Sequence, residues 1–273
     1  MTHRYLKSKK LRTNFITLLP YIVLTILFLC IVWSRAETLY EDITFFANPT
    51  ADRAYNYGLL HFSEQYPKKY DLDRANYFFT ESAKLNKQQP YVYHELARIA
   101  FLKGNFPLAM QHINTQISLH GDSEANSYYV RGLIEGFAGD YVDAIDDYKH
   151  FLQFDPHDWA AINDYSWVLL KAGKSAEAAK ATTDGLKYFP TNPWLLNSNA
   201  TALFEIGDFK GAYASIQRAQ VAVQKLSNAE WSHAYPGNDP AIAGTGVSSF
   251  KDAVAQNLAR ITTALNGTTT SAN

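Results

Sequence analysis

ANSYYVRGLIEGFAGDYVDAIDDYKHFLQFDPHD, Ala125–Asp158, is the stretch on which the reading of this chain turns. Its Gly139 has counterparts at Gly104, Gly173 and Gly207, and the four glycines lie 35, 34 and 34 residues apart. Five residues after each comes an alanine: Ala109, Ala144, Ala178 and Ala212. A period of about 34 residues, with glycine at an inner turn and a small residue in the next helix, marks stacked helix pairs. Glycine tolerates the positive φ that closes a helix end. Pro156 and Pro190 stop a second helix and open the next unit. One pair cannot bury its own apolar face, so stability must come from stacking.

The repeat runs from Pro90 to about Ala219. The second unit carries Tyr93, Leu96, Ala97, Gly104-Asn-Phe106 and Ala109. The third carries Tyr128, Gly132, Gly139-Asp-Tyr141, Ala144, Tyr148 and Pro156; the fourth, Tyr165, Ser166, Gly173-Lys-Ser175 and Ala178. The fifth carries Ala200, Gly207-Asp-Phe209, Ala212 and Ala219. This pattern resembles the tetratricopeptide repeat family, W-x2-L-G-x2-Y…A-x3-F…P. Tyr128, Gly132, Ala144, Tyr148 and Pro156 fall on its five strongest positions. The fourth unit departs most, with Thr182 where a bulky residue is usual and Gly185 where alanine is usual. The resemblance covers about half the chain and implies an all-α, right-handed superhelical solenoid of about five helix pairs.

It also implies that the first helix of each unit lines a concave face. Matched position by position, the second unit offers Tyr91, His94, Arg98 and Phe101, and the third offers Asn126, Tyr129 and Phe137. The fourth offers Asn163, Trp167 and Lys171, and the fifth offers Trp194, Asn197, Thr201 and Phe204. Aromatics give large contact area at low entropic cost. Asparagine side chains donate to and accept from an extended backbone at once. The face therefore suits a peptide or helix of a protein partner, against the alternative that each aromatic packs between neighbouring helices. Arg98 and Lys171 are its only cations, both accompanied by acids, which argues against a clamp for a C-terminal carboxylate.

Ahead of the repeats, residues 1–14 carry Arg4, Lys7, Lys9, Lys10 and Arg12 and no acid. Residues 15–33 are free of charge, near the 20 or so needed for a transmembrane helix and longer than a signal-peptide core. The positive-inside rule then keeps the N-terminus cytoplasmic and exports the rest as a single-pass membrane protein. Of 25 basic residues, five precede the span, leaving 20 against 26 acids, a net charge of −6 that argues against a nucleic-acid partner. The lone Cys30 excludes a disulfide framework or cysteine-rich metal site. A juxtamembrane segment, 34–51, lies on the membrane or packs on the first repeat. A degenerate first unit, 52–89, pairs Tyr55, Gly58 and Phe62 with Ala75, Phe79 and Ala83. The regular units follow at 90–124, 125–158, 159–192 and 193–224.

Residues 225–247 read as a loop rich in turn formers. Trp231 and Tyr235 either anchor it to the last repeat, the favoured reading, or belong to a flap over the groove's end with Asn238 and Asp239. Phe250, Val254, Leu258, Ile261 and Leu265 then give a capping helix, 248–265, one apolar face, and the small, polar 266–273 is expected to be disordered. No zincin, Walker or nucleophile-elbow motif is present. Gly244-Thr-Gly246 is too short for a phosphate loop, and His150 and His157 bind a metal only if the fold joins them. Asn199-Ala-Thr201 and Asn266-Gly-Thr268 match glycosylation patterns. The expectation is a non-enzymatic scaffold or chaperone-like helper of a bacterial cell envelope, without cofactor or metal. The alternatives are a carbohydrate-polymer binder using Trp167 and Trp194, or an accessory subunit of a larger complex.

Overall fold

The structure, a computed structural model, describes residues 18–29, 36–63, 65–234 and 239–270. All regular structure among them is helical. In chain order the helices are α1 (18–29), α2 (Ala36–Ala47), α3 (Ala51–Phe62), α4 (Leu72–Leu85), α5 (Val92–Leu102), α6 (Phe106–His120), α7 (Asn126–Ala138) and α8 (Tyr141–Phe154). They continue with α9 (Trp159–Lys171), α10 (Ser175–Gly185), α11 (Pro193–Glu205), α12 (Phe209–Val223), α13 (Asn228–His233) and α14 (Ala243–Thr270).

Local chemistry sets these boundaries. Asn105, Asp158, Asn192 and Asp208 each cap a helix by accepting the amide three residues on. The periodic glycines sit at the turns inside each pair with φ of 71°, 98°, 74° and 84° at Gly104, Gly139, Gly173 and Gly207. A Cβ would meet nothing there, so the requirement is conformational rather than steric. Ala109, Ala144, Ala178 and Ala212 are fully buried where the two helices of a pair cross. At Gly132 a Cβ would lie 3.3 Å from the Ala144 carbonyl oxygen, which shows how close that crossing is. Each helix from α3 to α12 packs on the next, while α5, α7, α9, α11 and α14 also touch in sequence to form an inner layer.

The fourth unit's departures have a packing reason. Thr182 is buried, donating to the Ala178 carbonyl and accepting from Asn199 Nδ2 at 3.0 Å. Ser215 donates to the other end of the Asn199 amide at 2.7 Å. A polar chain thus replaces a bulky contact across α10, α11 and α12. Asn199 is 3% exposed, so its glycosylation pattern is inaccessible in the folded chain. Gly185 makes room for Ile162 and Leu195.

The expectation of a single-pass membrane protein is corrected. Among the described residues no helix is long and apolar enough to cross a membrane. Of 15–33 only 18–29 is described, and it is helical. The predicted orientation and exported location rested on that span and fall with it. The basic tail, 1–14, and Cys30 lie outside the described residues. The juxtamembrane segment forms α2, which packs on the first unit: Phe45 is buried against the Tyr57 and Phe78 rings. In that unit a Cβ on Gly58 would stand 2.5 Å from the Phe79 ring.

At the far end, α14 buries Val254 and Ile261 against α12 and α11. Burying each such side chain contributes about 1.5–3 kcal/mol. The helix starts before 248 and continues beyond Leu265 to Thr270, since adding residues to a formed helix costs only tenths of a kcal/mol each. The segment read as a loop, 225–247, contains α13 and a 3₁₀ turn at Pro240–Ile242; Tyr235 and Asn238 lie outside the described residues.

Candidate functional site

The inner layer presents the residues expected to line a groove, in two kinds of environment. At the N-terminal side Tyr91 caps α5 with φ 59°, the only described non-glycine residue at positive φ. That conformation costs about 1–3 kcal/mol. It is held by Glu124, which accepts the Tyr91 amide at 3.4 Å and the Gln116 side chain as well. His94 is buried, and burial pushes its imidazole down to about 4, so it is neutral near pH 7. Arg98 pairs with Glu95 at 2.8 Å and lies over the Phe62 ring at 4.6 Å. Asn126 is exposed at the start of α7, and Lys171 is exposed at the end of α9.

The aromatics form two lines of ring contacts. Phe101, Phe137 and Trp167 join α5, α7 and α9 at 5.2 and 5.1 Å. Trp159, Trp194 and Phe250 join α9, α11 and α14 at 5.0 and 5.3 Å. Trp194 is therefore stacked against two rings, one from the preceding inner helix and one from α14. Phe204 lies against Phe209 and under Arg260 of α14.

The polar residues are joined in the same way. Tyr129 donates to Asp164 Oδ2 at 3.0 Å, and Asn163 Nδ2 donates to Asp164 Oδ1 at 3.0 Å. Ser198 donates to Asn163 Oδ1 at 2.7 Å, and Asn257 Nδ2 to Asn197 Oδ1 at 2.9 Å. Thr201 bonds back to the Asn197 carbonyl. The amides of Asn163 and Asn197 thus bridge neighbouring inner helices, whereas Asn126 faces solvent. Burial pushes the Asp164 carboxyl up to about 7, although the Tyr129 and Asn163 hydrogen bonds pull the other way.

Three cavities open along this face. One of about 510 Å³ is lined by Tyr91, Arg98, Asn126, Tyr129 and Asp158. The second, about 210 Å³, lies between Phe101, Leu133, Phe137, Asn163 and Trp194, with Trp231 above. The third, about 960 Å³, extends over the starts of α11 and the end of α12, past Arg218, Val221, Lys225 and Leu226. Trp159 and Ala234 line all three. Sequence reasoning missed Trp159 because it opens α9 one position ahead of those expected to face inward. Its signal was an aromatic directly after the Asp158 cap. The residues after α12, read as a loop, supply the roof. Among the described residues no group of His, Cys, Asp or Glu is placed to hold a metal ion. His150 bonds Asp122 at 2.8 Å, while His157 rests on the Tyr188 ring.

Solved structures show the same stack of helix pairs. PilW, a type IV pilus biogenesis factor, superposes with a TM-score of 0.57 at 14% identity over 80% of this chain and 92% of its own. The chain has the tetratricopeptide-repeat fold. YrrB, a repeat protein with an unusual peptide-binding site, superposes at 0.55 with 14% identity, over 68% of this chain and 93% of its own. MamA gives 0.53 at 18% identity, over 64% and 92%. No protein-family model and no curated protein sequence matches the chain.

Proposed function

We propose that this chain is a protein-binding scaffold whose inner groove receives a peptide or helical segment of another protein. The observation that carries this reading is the cavity of about 510 Å³ walled by three successive inner helices. Its wall combines an aromatic residue, Tyr91, a cation, Arg98, and an exposed amide, Asn126, on a backbone strained at Tyr91. A solenoid presents such a surface as one extended track, which suits main-chain and side-chain recognition of a linear segment. The peptide-binding site of YrrB supports the same use of the fold.

The test is a photoreactive residue at Asn126, with an exposed outer-face control at Gln153, introduced into the cell of origin. Capture of defined proteins at 126 but not 153, abolished by Tyr91→Ala plus Arg98→Ala, is the expected result. Equal capture at both sites, or capture insensitive to those substitutions, would sink the reading.

A further inference from the structure

The three cavities meet at the end of α13. Ala234, immediately after that helix, lines each of them, and Trp159 forms part of the floor of each. Between them they draw walls from α5, α7, α9 and α11, along one trough that passes the end of α13. The segment is also seated rather than merely nearby. Trp231 lines the cavity between Phe101, Phe137 and Trp194. Its indole rests on Gly246 of α14, where a Cβ would come within 2.2 Å of the ring. Glycine at 246 is thus what lets α14 begin beside a tryptophan, and it accounts for a residue that no phosphate-binding motif explained. The six-residue α13 is too short to persist unaided. A capping box holds it: Ser227 accepts the Glu230 amide at 3.2 Å, and Glu230 accepts the Ser227 amide at 2.8 Å.

We infer that α13 is an internal ligand of the groove, displaced when a partner binds. The displacing segment is one that brings an aromatic side chain on a short helical turn to the seat Trp231 leaves. The inference rests on the groove-binding reading and adds to it both a competitor and the chemistry of the partner's anchor. A tethered segment competes at an effective concentration on the order of millimolar. Displacement therefore demands a partner that fills the rest of the trough as well, which gives selectivity against isolated aromatic peptides.

The probe is a dye-labelled synthetic peptide of residues 225–234, titrated by fluorescence anisotropy. It is added to the unmodified chain, to a variant with residues 228–234 replaced by Gly-Ser repeats, and to a chain carrying Trp231→Ala. The last removes the internal anchor and leaves Gly246, and with it the seat, open to the added indole. Both variants are expected to bind the peptide at least about tenfold more tightly than the unmodified chain, and a peptide that itself carries Trp231→Ala at least about tenfold more weakly than the parent peptide. Circular dichroism checks helical content; if the Gly-Ser variant loses it, the Trp231→Ala chain decides alone. Equal binding to all three chains, or no binding to a folded Trp231→Ala chain, overturns the inference. The crosslink at Asn126, run on the unmodified and Trp231→Ala chains, reports separately. Capture in both with no peptide effect removes the internal ligand and leaves the groove reading standing. Peptide binding with no captured protein does the reverse.

Discussion

Two carboxylates, one at the N-terminal junction and one in the groove, are held in opposite ways. Glu41 of α2 is buried and meets His61 Nε2 at 2.8 Å, Lys69 Nζ at 3.3 Å and Arg74 Nη2 at 3.3 Å. Burial alone would raise its pKa, but the hydrogen bonds and charges of His61 and Lys69 outweigh it and hold the carboxyl below its ordinary range. Asp164 of α9 meets only neutral donors, Tyr129 and Asn163, and its carboxyl is pushed up. At the junction, charge is spent on holding three elements together. In the groove, charge is kept at some cost to stability, a pattern that belongs to functional surfaces.

The largest effect should come from removing the junction's charge. Glu41→Leu leaves Arg74 and Lys69 without their shared partner and should cost about 2–4 kcal/mol, read as a lower urea midpoint. An unchanged midpoint would mean the cluster holds nothing. Next come two glycines that admit rings. Gly58→Ala would put a Cβ 2.5 Å from the Phe79 ring, and Gly136→Ala one 2.8 Å from the Trp167 ring. Each should cost about 1–3 kcal/mol. Only Gly136→Ala, in the inner layer, should also alter capture at Asn126; an equal loss from both would erase the distinction between the regions.

Asp164→Asn should stabilise the chain by roughly 1 kcal/mol near pH 8. With its carboxyl raised from 3.8 to about 7, the native state is penalised increasingly as pH rises between those values. The gain should therefore be full above about pH 7 and shrink as pH falls toward 4, in thermal melts across that range. A gain that did not change with pH would show that Asp164 does not titrate. The smallest effect, roughly 1 kcal/mol or less, is the pH-dependent share of the Glu41 contribution, and it has the opposite sign. The advantage of the native chain over Glu41→Gln should be whole above the ordinary glutamate value of 4.5 and fade below it.

The stack was legible because its rules are local. Gly104, Gly139, Gly173 and Gly207 had to take positive φ, and the alanines five residues on had to be small, wherever their neighbours lay. The groove was legible only as a list of inward positions. Asn163 and Asn197 were expected to serve a ligand, and the structure instead pairs them with Ser198 and Asn257, the latter 60 residues away. No spacing rule within a repeat could have revealed that pairing, because α14 stands outside the repeat. The seat of Trp231 was hidden for the same reason: it is shaped by α14 and by four units that precede it by up to 130 residues. The uncharged run at 15–33 was read as a span from composition alone, and among the described residues no helix is long and apolar enough to cross a membrane.

The stacked pair of Trp159 and Trp194, 5.0 Å apart and inclined by 30°, has an optical consequence. Indoles so close share their excited states, and the coupled transitions give a circular dichroism couplet whose size depends steeply on separation and angle. The two rings belong to successive units, so the couplet measures the curvature of the solenoid between them without any label. A partner that straightens or tightens the groove would declare itself as a change in that signal, in the unmodified protein and in solution.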